Sequence, residues 1–377
     1  MSEAVFTGLD HQHMQRALAL ARQGLFTTAP NPRVGCVLVK DGVVVGEGAH
    51  LRAGEPHAER HALAAAGDVA VGATCYVTLE PCAHTGRTGP CADALIAARV
   101  SRVVAAMQDP HTRVAGKGFD RLRAAGIDVA VGLCEDEARA LNPGFIRRME
   151  TGRPFVRVKL AMSLDGRTAM ASGESKWITG AAAREDVQRL RAMSSAIVTG
   201  VGTVLADDPA LTVRPDSWRD LTYPEGAVRQ PVRVVLDRQL RTPVTAKMLG
   251  EAGQTVLVCT ADPDAATAAA LAAENADVMH LPASGSGVDL RALLDELGRR
   301  ECNDVLVEAG PTLAAAFVSE GLCDELVVYM APALLGSNAR PLMVLPQLAN
   351  MADKITMAFV DVTRLGNDVR LTLRPDA

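Results

Sequence analysis

His57, Glu59, Cys82 and Cys91 are the residues of this chain whose types and spacing could do chemistry. A neutral imidazole and two thiolates can fill three corners of a zinc tetrahedron. The fourth corner then stays open to water, which separates a catalytic zinc from a closed structural one. Water on zinc loses a proton near neutral pH. Glu59, two residues beyond His57, could collect that proton and deliver it to a substrate ring. His-x-Glu followed by Pro-Cys and a further Cys is the equipment of a zinc-dependent deaminase acting on a nucleobase-like ring.

The spacing of the two cysteines departs from the common Pro-Cys-x-x-Cys. Eight residues, Ala83 to Pro90, lie between them. Gly86, Gly89 and Pro90 make this stretch a loop, able to bring both sulfurs to one metal. The plainer alternative is a pair of ordinary buried thiols. A His-x-Glu upstream and Pro81 before the first cysteine argue against it.

The elements that must position these groups follow from periodicity. His11 to Gln23 is amphipathic, with Met14, Ala17, Leu18 and Ala21 on one face. Val34 to Val39 is a buried-strand pattern, and Asp41-Gly42 signals a hairpin into Val43 to Val45. His57 opens a helix running from Ala58 to Ala66. Thr74 to Leu79 is a strand ending at Glu80-Pro81-Cys82, Asp93 to Ala98 a helix, and Ser101 to Met107 and Ile127 to Val131 two more strands. This alternation predicts an α/β domain over residues 1–150.

Thr151-Gly152-Arg153-Pro154 reads as a boundary into a second α/β domain, 151–377. Its expected strands are Phe155 to Met162, Ala196 to Thr199, Val232 to Asp237, Thr255 to Cys259, Asp304 to Glu308, Glu325 to Ala331 and Val369 to Leu373. Helices are expected over Ala181 to Met193 and Leu290 to Arg299, with an Ala-rich helix from Ala265 to Ala276 capped by Asp262-Pro263. Pro282 to Gly287 reads as a loop. Gly310 to Thr312, at a strand-to-helix turn, is a fair site for a dinucleotide phosphate, because amides at a helix start attract anions. No Gly-x-Gly-x-x-Gly is present, so a Rossmann domain has no support. A Gly turn after a strand is more often merely a turn, and Asp207-Asp208-Pro209 could be a solvated loop.

The balance of the chain narrows the partners. A net charge of −5 and 3% aromatic residues disfavour a broad nucleic-acid surface, which needs basic patches and stacking rings. No apolar run is long enough to cross a bilayer. Residues 1–10 lack a secretory signal, and the eight cysteines show no disulfide pattern, so a reducing cytoplasm is the expected compartment.

Taken together, the motifs resemble the bifunctional riboflavin-biosynthesis deaminase–reductase family. The matches are Pro30-Asn31-Pro32-x-Val34-Gly35-Cys36-Val37, Gly54-x-Pro56-His57-Ala58-Glu59 and Glu80-Pro81-Cys82-x-His84-x-Gly86-Arg87-Thr88-x-Pro90-Cys91, with the eight-residue gap typical of that family. They continue with Ser163-Leu164-Asp165-Gly166, Gly173-Glu174-Ser175-x-Trp177-Ile178-Thr179, Gly202-Thr203-Val204-x-x-Asp207-Asp208-Pro209-x-Leu211-Thr212-x-Arg214 and Glu308-Ala309-Gly310-Pro311. The resemblance implies a cytidine-deaminase-like three-layer domain followed by a dihydrofolate-reductase-like domain. It implies two reactions on one pyrimidine ribosyl phosphate: hydrolytic deamination, then reduction of the ribosyl group to ribityl with NADPH.

By matching position, the resemblance places zinc on His57, Cys82 and Cys91, with Glu59 moving protons. Asn31 would bind substrate or merely turn the chain between two prolines, and His84, Arg87 and Thr88 would be substrate contacts or a solvated loop. NADPH contacts fall on Ala161, Trp177, Thr203, Asp207 and the turn Gly310, Pro311, Thr312, Leu313, Ala314, Ala315 and Ala316. Substrate contacts fall on Ser175, Arg191, Leu211, Arg214 and Glu308, with Lys159 on the strand entering the site. Arg191 and Arg214 suit a phosphate because guanidinium pairs with it bidentately. Trp177 and Leu211 could instead be core, and Lys159 a strand lysine with its head in solvent. A homo-oligomer is implied as well. Two rivals remain: a tRNA adenosine deaminase with an accessory domain, and a non-enzymatic nucleotide sensor stapled by zinc.

Overall fold

The computed structural model describes residues 6–83, 89–112, 114–219, 222–261, 264–274, 276–285 and 287–376. Contacts divide the chain into two compact units, Met1–Arg153 and Pro154–Ala377.

The first unit begins with helix α1 (Gly8–Ala21), started by a capping box between Thr7 and Asp10. This cap sets the helix start three residues ahead of the periodicity's first apolar face. Strands β1 (Gly35–Lys40) and β2 (Val43–Ala49) form the expected hairpin. Asp41 and Gly42 both take positive φ, 51° and 76°, as a tight primed turn requires. Helix α2 (Ala58–Ala66), strand β3 (Thr74–Val77), helix α3 (Cys91–Ala97) and strand β4 (Arg102–Ala105) follow. Helix α4 (Lys117–Ala124), strand β5 (Asp128–Val131) and helices α5 (Glu135–Leu141) and α6 (Pro143–Thr151) complete the unit. The sheet order is β2-β1-β3-β4-β5, antiparallel at the hairpin end and parallel from β3 onward.

Register explains the layers. Cys36 pairs with Gly48 and Leu38 with Gly46, so both glycines share one face, and Gly35 points to the other. A Cβ on Gly35 would come within 2.0 Å of the Ala17 carbonyl in α1. One on Gly48 would come within 2.2 Å of the Ala58 carbonyl in α2. Glycine therefore lets α1 and α2 press on opposite faces, giving three layers and fixing where α2 starts.

The second unit contains β6 (Phe155–Ser163), β7 (Arg167–Ala169), α7 (Ala181–Met193), β8 (Ala196–Gly200), α8 (Val201–Asp207), β9 (Val232–Leu236) and β10 (Thr255–Cys259). It continues with α9 (Ala265–Ala273), β11 (Ala276–His280), the short pair β12 (Ala283–Ser284) and β13 (Gly287–Val288), α10 (Leu290–Arg299) and β14 (Asp304–Glu308). The chain then forms α11 (Pro311–Ser319), β15 (Glu325–Ala331), β16 (Arg340–Pro341), β17 (Met357–Leu365) and β18 (Asp368–Pro375). The nine-stranded sheet runs β11-β10-β9-β8-β14-β6-β15-β18-β17. It is parallel up to β15 and ends in an antiparallel hairpin.

Alternation splits its core. Val156, Val158, Val305 and Val307 pack with α10 and α11, while Leu306, Val327 and Tyr329 pack with α7. Three sequence readings change. The Ala-rich helix stops at Ala273 and Ala276 opens a strand, because β11 can extend the parallel sheet beside β10. Its cap is Asp264, which accepts from the Thr267 amide at 2.9 Å; the expected cap, Asp262-Pro263, lies outside the described residues. The expected loop 282–287 carries β12, paired with β13.

Candidate active sites

In the first unit, His57 is the N-cap of α2, and Cys91 is the first residue of α3. Cys82 follows β3 after a short turn. The His57 Nδ1 atom lies 3.7 Å from Cys82 Sγ and 3.4 Å from Cys91 Sγ, and all three ligand atoms fall within 4.8 Å of one another. With Zn–N of about 2.0 Å and Zn–S of about 2.3 Å, a tetrahedral site separates nitrogen from sulfur by about 3.5 Å. The donor set therefore fits zinc, and it offers three protein ligands of the four. The Cys91 amide donates to Cys82 Sγ at 3.3 Å, and the Ala92 amide donates to the Cys82 carbonyl at 3.1 Å, closing the eight-residue gap.

The protein's own electrostatics suit this role. A hydrogen bond from Cys91 and another from His57 hold the Cys82 thiol down at about 4. The same contact with Cys82, together with burial, pushes the Cys91 thiol up. Cys82 raises His57. Glu59 is 3% exposed, in the first turn of α2. Burial raises its carboxyl, the charge of Cys82 adds to that, and a hydrogen bond ties it to Cys91. A carboxyl whose proton affinity is raised beside a hydrolytic metal is suited to proton transfer.

Asn31 is brought to this site by a residue that the motifs did not single out. Its Nδ2 lies 3.1 Å from His50 Nε2, while His50 Nδ1 lies 3.1 Å from the Pro56 carbonyl. The carbonyl can only accept, so His50 carries its proton on Nδ1 and takes the Asn31 amide hydrogen on Nε2. That turns the Asn31 side-chain oxygen the other way. The His50 ring also meets the His57 ring edge-on, with centroids 5.2 Å apart. The Gly46/Gly48 alternation was the available hint, since it puts α2 over β2 and the end of β2 beside the ligand. Asn142 holds the Asn31 loop, bonding the Arg33 amide at 2.8 Å and its carbonyl at 2.9 Å. His84, Arg87 and Thr88 lie outside the described residues.

In the second unit, register pairs Lys159 on β6 with Glu308 on β14, both on the α7 side of the sheet. Arg191 on α7 clasps Glu308 bidentately, at 2.6 and 2.9 Å, and donates to the Thr212 carbonyl at 3.2 Å. Burial alone would raise the Glu308 carboxyl, but Arg191, Lys159 and Arg214 together hold it below its usual range. Burial lowers the Lys159 ammonium. Four of the expected substrate contacts thus share one electrostatic neighbourhood. Ser175 is partly buried, in the loop after β7. Leu211 is 3% exposed, with its side chain packed in the core, in a left-handed turn with φ 49°.

The expected cofactor contacts lie at or near the carboxyl ends of the parallel strands, where open α/β sheets bind ligands. Ala161 is near the end of β6; Thr203 and Asp207 are on α8, directly after β8. Gly310 is the N-cap of α11, with Pro311 in its first turn. Ala314 and Ala315 are 1% and 2% exposed, so their side chains are packed inside, and the Ala314 amide already bonds the Gly310 carbonyl. The orphan amides of the first turn are those of Thr312 and Leu313. Trp177 is 74% exposed, under the Arg184 guanidinium at 4.7 Å, and so is not core.

Comparison with known proteins agrees with this division. Residues 8–107 match the cytidine and deoxycytidylate deaminase zinc-binding region, and residues 154–371 match the RibD C-terminal domain. The riboflavin biosynthesis protein RibD of Escherichia coli is 53% identical over 97% of this chain and 99% of its own. The solved RibD of Acinetobacter baumannii superposes with a TM-score of 0.90 at 49% identity, covering 98% of this chain and 99% of that one. A Thermotoga maritima diaminohydroxyphosphoribosylaminopyrimidine deaminase/5-amino-6-(5-phosphoribosylamino)uracil reductase gives 0.84 at 32% identity, with 98% and 99% covered. The chain belongs to the RibD family of riboflavin biosynthesis, a zinc-binding deaminase domain joined to an NADPH-dependent reductase domain.

Proposed function

We propose that the two domains, residues 1–150 and 151–377, act in succession on one substrate. The first would convert 2,5-diamino-6-ribosylamino-4(3H)-pyrimidinone 5′-phosphate to 5-amino-6-(5-phosphoribosylamino)uracil and ammonia. The second would reduce the ribosyl group to ribityl. The Thermotoga protein is named for this pair of activities. The observation that carries the reading is the His57, Cys82 and Cys91 cluster with a buried Glu59, hydrogen-bonded to Cys91, against it.

His57 Nδ1 and the two sulfurs would hold zinc, which supplies a Lewis acid that makes water nucleophilic at neutral pH. Glu59 would take one proton of the attacking water and pass it to the ring nitrogen, then carry the second, from the newly added hydroxyl, to the departing amine. Asn31, its amide group spent on His50, presents an oxygen that can accept from a ring N–H or amino group. In the reductase, Lys159, Arg191, Arg214, Glu308 and Ser175 would hold the phosphorylated sugar. Ala161, Trp177, Thr203, Asp207 and the amides of Thr312 and Leu313 would hold NADPH. Hydride transfer needs no protein nucleophile; it needs nicotinamide and sugar carbon in register.

The tRNA deaminase rival leaves the reductase domain idle, and the sensor rival leaves Glu59 without a task. Phe359, Val360 and Val362 on edge strand β17 are 65%, 51% and 61% exposed, which supports a homo-oligomer, readable by light scattering. Eight free cysteines fit a reducing cytoplasm, and the net charge of −5 fits a small-molecule substrate rather than nucleic acid. The test is product mass after incubation with the diaminopyrimidine ribosyl phosphate. Deamination without NADPH, and further reduction with it, is the expected result. An unchanged mass from zinc-loaded protein would overturn the reading.

A further inference from the structure

We infer that Glu80 and Arg121 are positioning residues for the metal loop, bracing both of its arms against helix α4. The inference rests on the zinc reading above. It starts from the eight-residue separation of the ligand cysteines in the sequence.

Glu80 comes two residues before Cys82 and is 4% exposed. Its carboxylate accepts three backbone N–H groups, from Asp109 at 3.1 Å, Gly116 at 2.9 Å and Gly118 at 2.8 Å. Those of Gly116 and Gly118 belong to the start of α4, where N–H groups lack partners within the helix and the dipole favours an anion. The approach is close: a Cβ on Gly118 would sit 2.0 Å from the Pro81 carbonyl. Glycine is required there for α4 to touch the chain directly before Cys82.

One turn further along α4, Arg121 reaches both arms. Its Nη1 donates to the carbonyl of Ala83, the residue after Cys82, at 3.3 Å. Its Nε lies 2.5 Å from the Asp93 carboxylate, two residues after Cys91. Residues 80, 81 and 83 on one arm and 93 on the other are thus all tied to a single helix. Burial of Phe119 and Leu122, at 3% and 0% exposure, anchors α4 to the core by itself. The polar contacts are therefore not needed to dock the helix, and their effect falls on the loop that it braces.

The test is zinc release from the full-length, zinc-loaded protein into a metallochromic chelator. Groups that orient metal ligands typically change affinity by about 10- to 100-fold when removed. Glu80→Gln keeps the shape but replaces one acceptor oxygen by a donor, and should release zinc about tenfold faster. Arg121→Ala, at an exposed pair, should give a smaller acceleration of about two- to fivefold. Arg123→Ala, on the same helix but paired with Asp120, should release at the parental rate. NADPH oxidation by the reductase domain should be unchanged in all three.

Parental release rates in both Glu80→Gln and Arg121→Ala would overturn the inference while leaving the zinc site standing. A parental protein that holds no zinc would overturn both. If Glu80→Gln fails to fold by circular dichroism, Arg121→Ala against Arg123→Ala decides the matter alone.

Discussion

Each domain of this chain buries a glutamate at its site, and the two titrate in opposite directions. Burial and the Cys82 charge lift the Glu59 carboxyl. Glu308 is nearly as deeply placed, its side chain 10% exposed, but it is clasped by Arg191 and faced by Lys159, and it is pulled below the usual range. Burial acts alike on both, so the cations decide. The deaminase keeps an acid that can hold a proton and hand it on. The reductase keeps a fixed anion that orders two cations. The contrast fits their chemistry, proton transfer on one side and hydride transfer in a held geometry on the other.

The largest expected effect is on the acid that moves protons. Glu59→Gln should cut deamination by about 10²- to 10⁴-fold. Zinc content, by metal analysis, and NADPH-dependent reduction of the deaminated substrate should be retained. If deamination survives, Glu59 is not the proton carrier and the contrast with Glu308 loses its meaning.

Arg191→Ala should hurt through the charge that it leaves behind. Removing one partner of a buried pair costs about 3–5 kcal/mol, and reductase efficiency should fall at least about 100-fold. Adding Glu308→Gln should restore much of the stability and none of the activity. Trp177 and Trp218 are the chain's two tryptophans and both lie in the second unit, so fluorescence during urea unfolding reads that domain alone. An Arg191→Ala protein of parental stability would show that Glu308 does not depend on its cation.

The same pair sets an acid limb. Because the folded Glu308 carboxyl lies below its ordinary value of 4.5, its contribution to stability is complete above that value. It is lost as the pH falls through the lower folded value. Tryptophan-detected stability should therefore decline below pH 4.5, and the decline should be shallower in Arg191→Ala. The opposite ordering would mean that another carboxylate carries the limb.

The smallest effect is expected at Asn31. Asn31→Ala removes one substrate hydrogen bond and should raise the deaminase KM about tenfold, with little change in kcat. His50→Ala frees the Asn31 amide to rotate and should share that phenotype. Variants that change kcat and leave KM alone would place Asn31 at the reacting atoms instead.

Much of this was legible from residue order. His57, Glu59, Cys82 and Cys91 fall within 35 consecutive residues, and strand and helix starts put them together, so local pattern was enough to find the cluster. Helices Ala58–Ala66, Ala181–Met193 and Leu290–Arg299 were readable because each turns one apolar stripe inward over two or more turns. Strand β11 was not, because Ala276 to His280 carries an alanine-rich helical signal from upstream and only its pairing to β10 makes it a strand. Leu211 stayed open between core and substrate contact for a similar reason: the two look alike in a motif, and only the fold shows its side chain packed.

What the amino-acid order determined by itself was the identity of the donors and the elements that carry them, since hydrophobic periodicity and turn chemistry act over a few residues. What only the tertiary structure decided were directional bonds between distant positions. Asn31 bonds to His50, Glu80 takes the amides of residues 109–118, and Arg191 meets Glu308 across 117 positions. Hydrogen bonds and ion pairs depend on distances of a few tenths of an ångström and on angle, and those are set by sheet register and helix docking rather than by spacing along the chain.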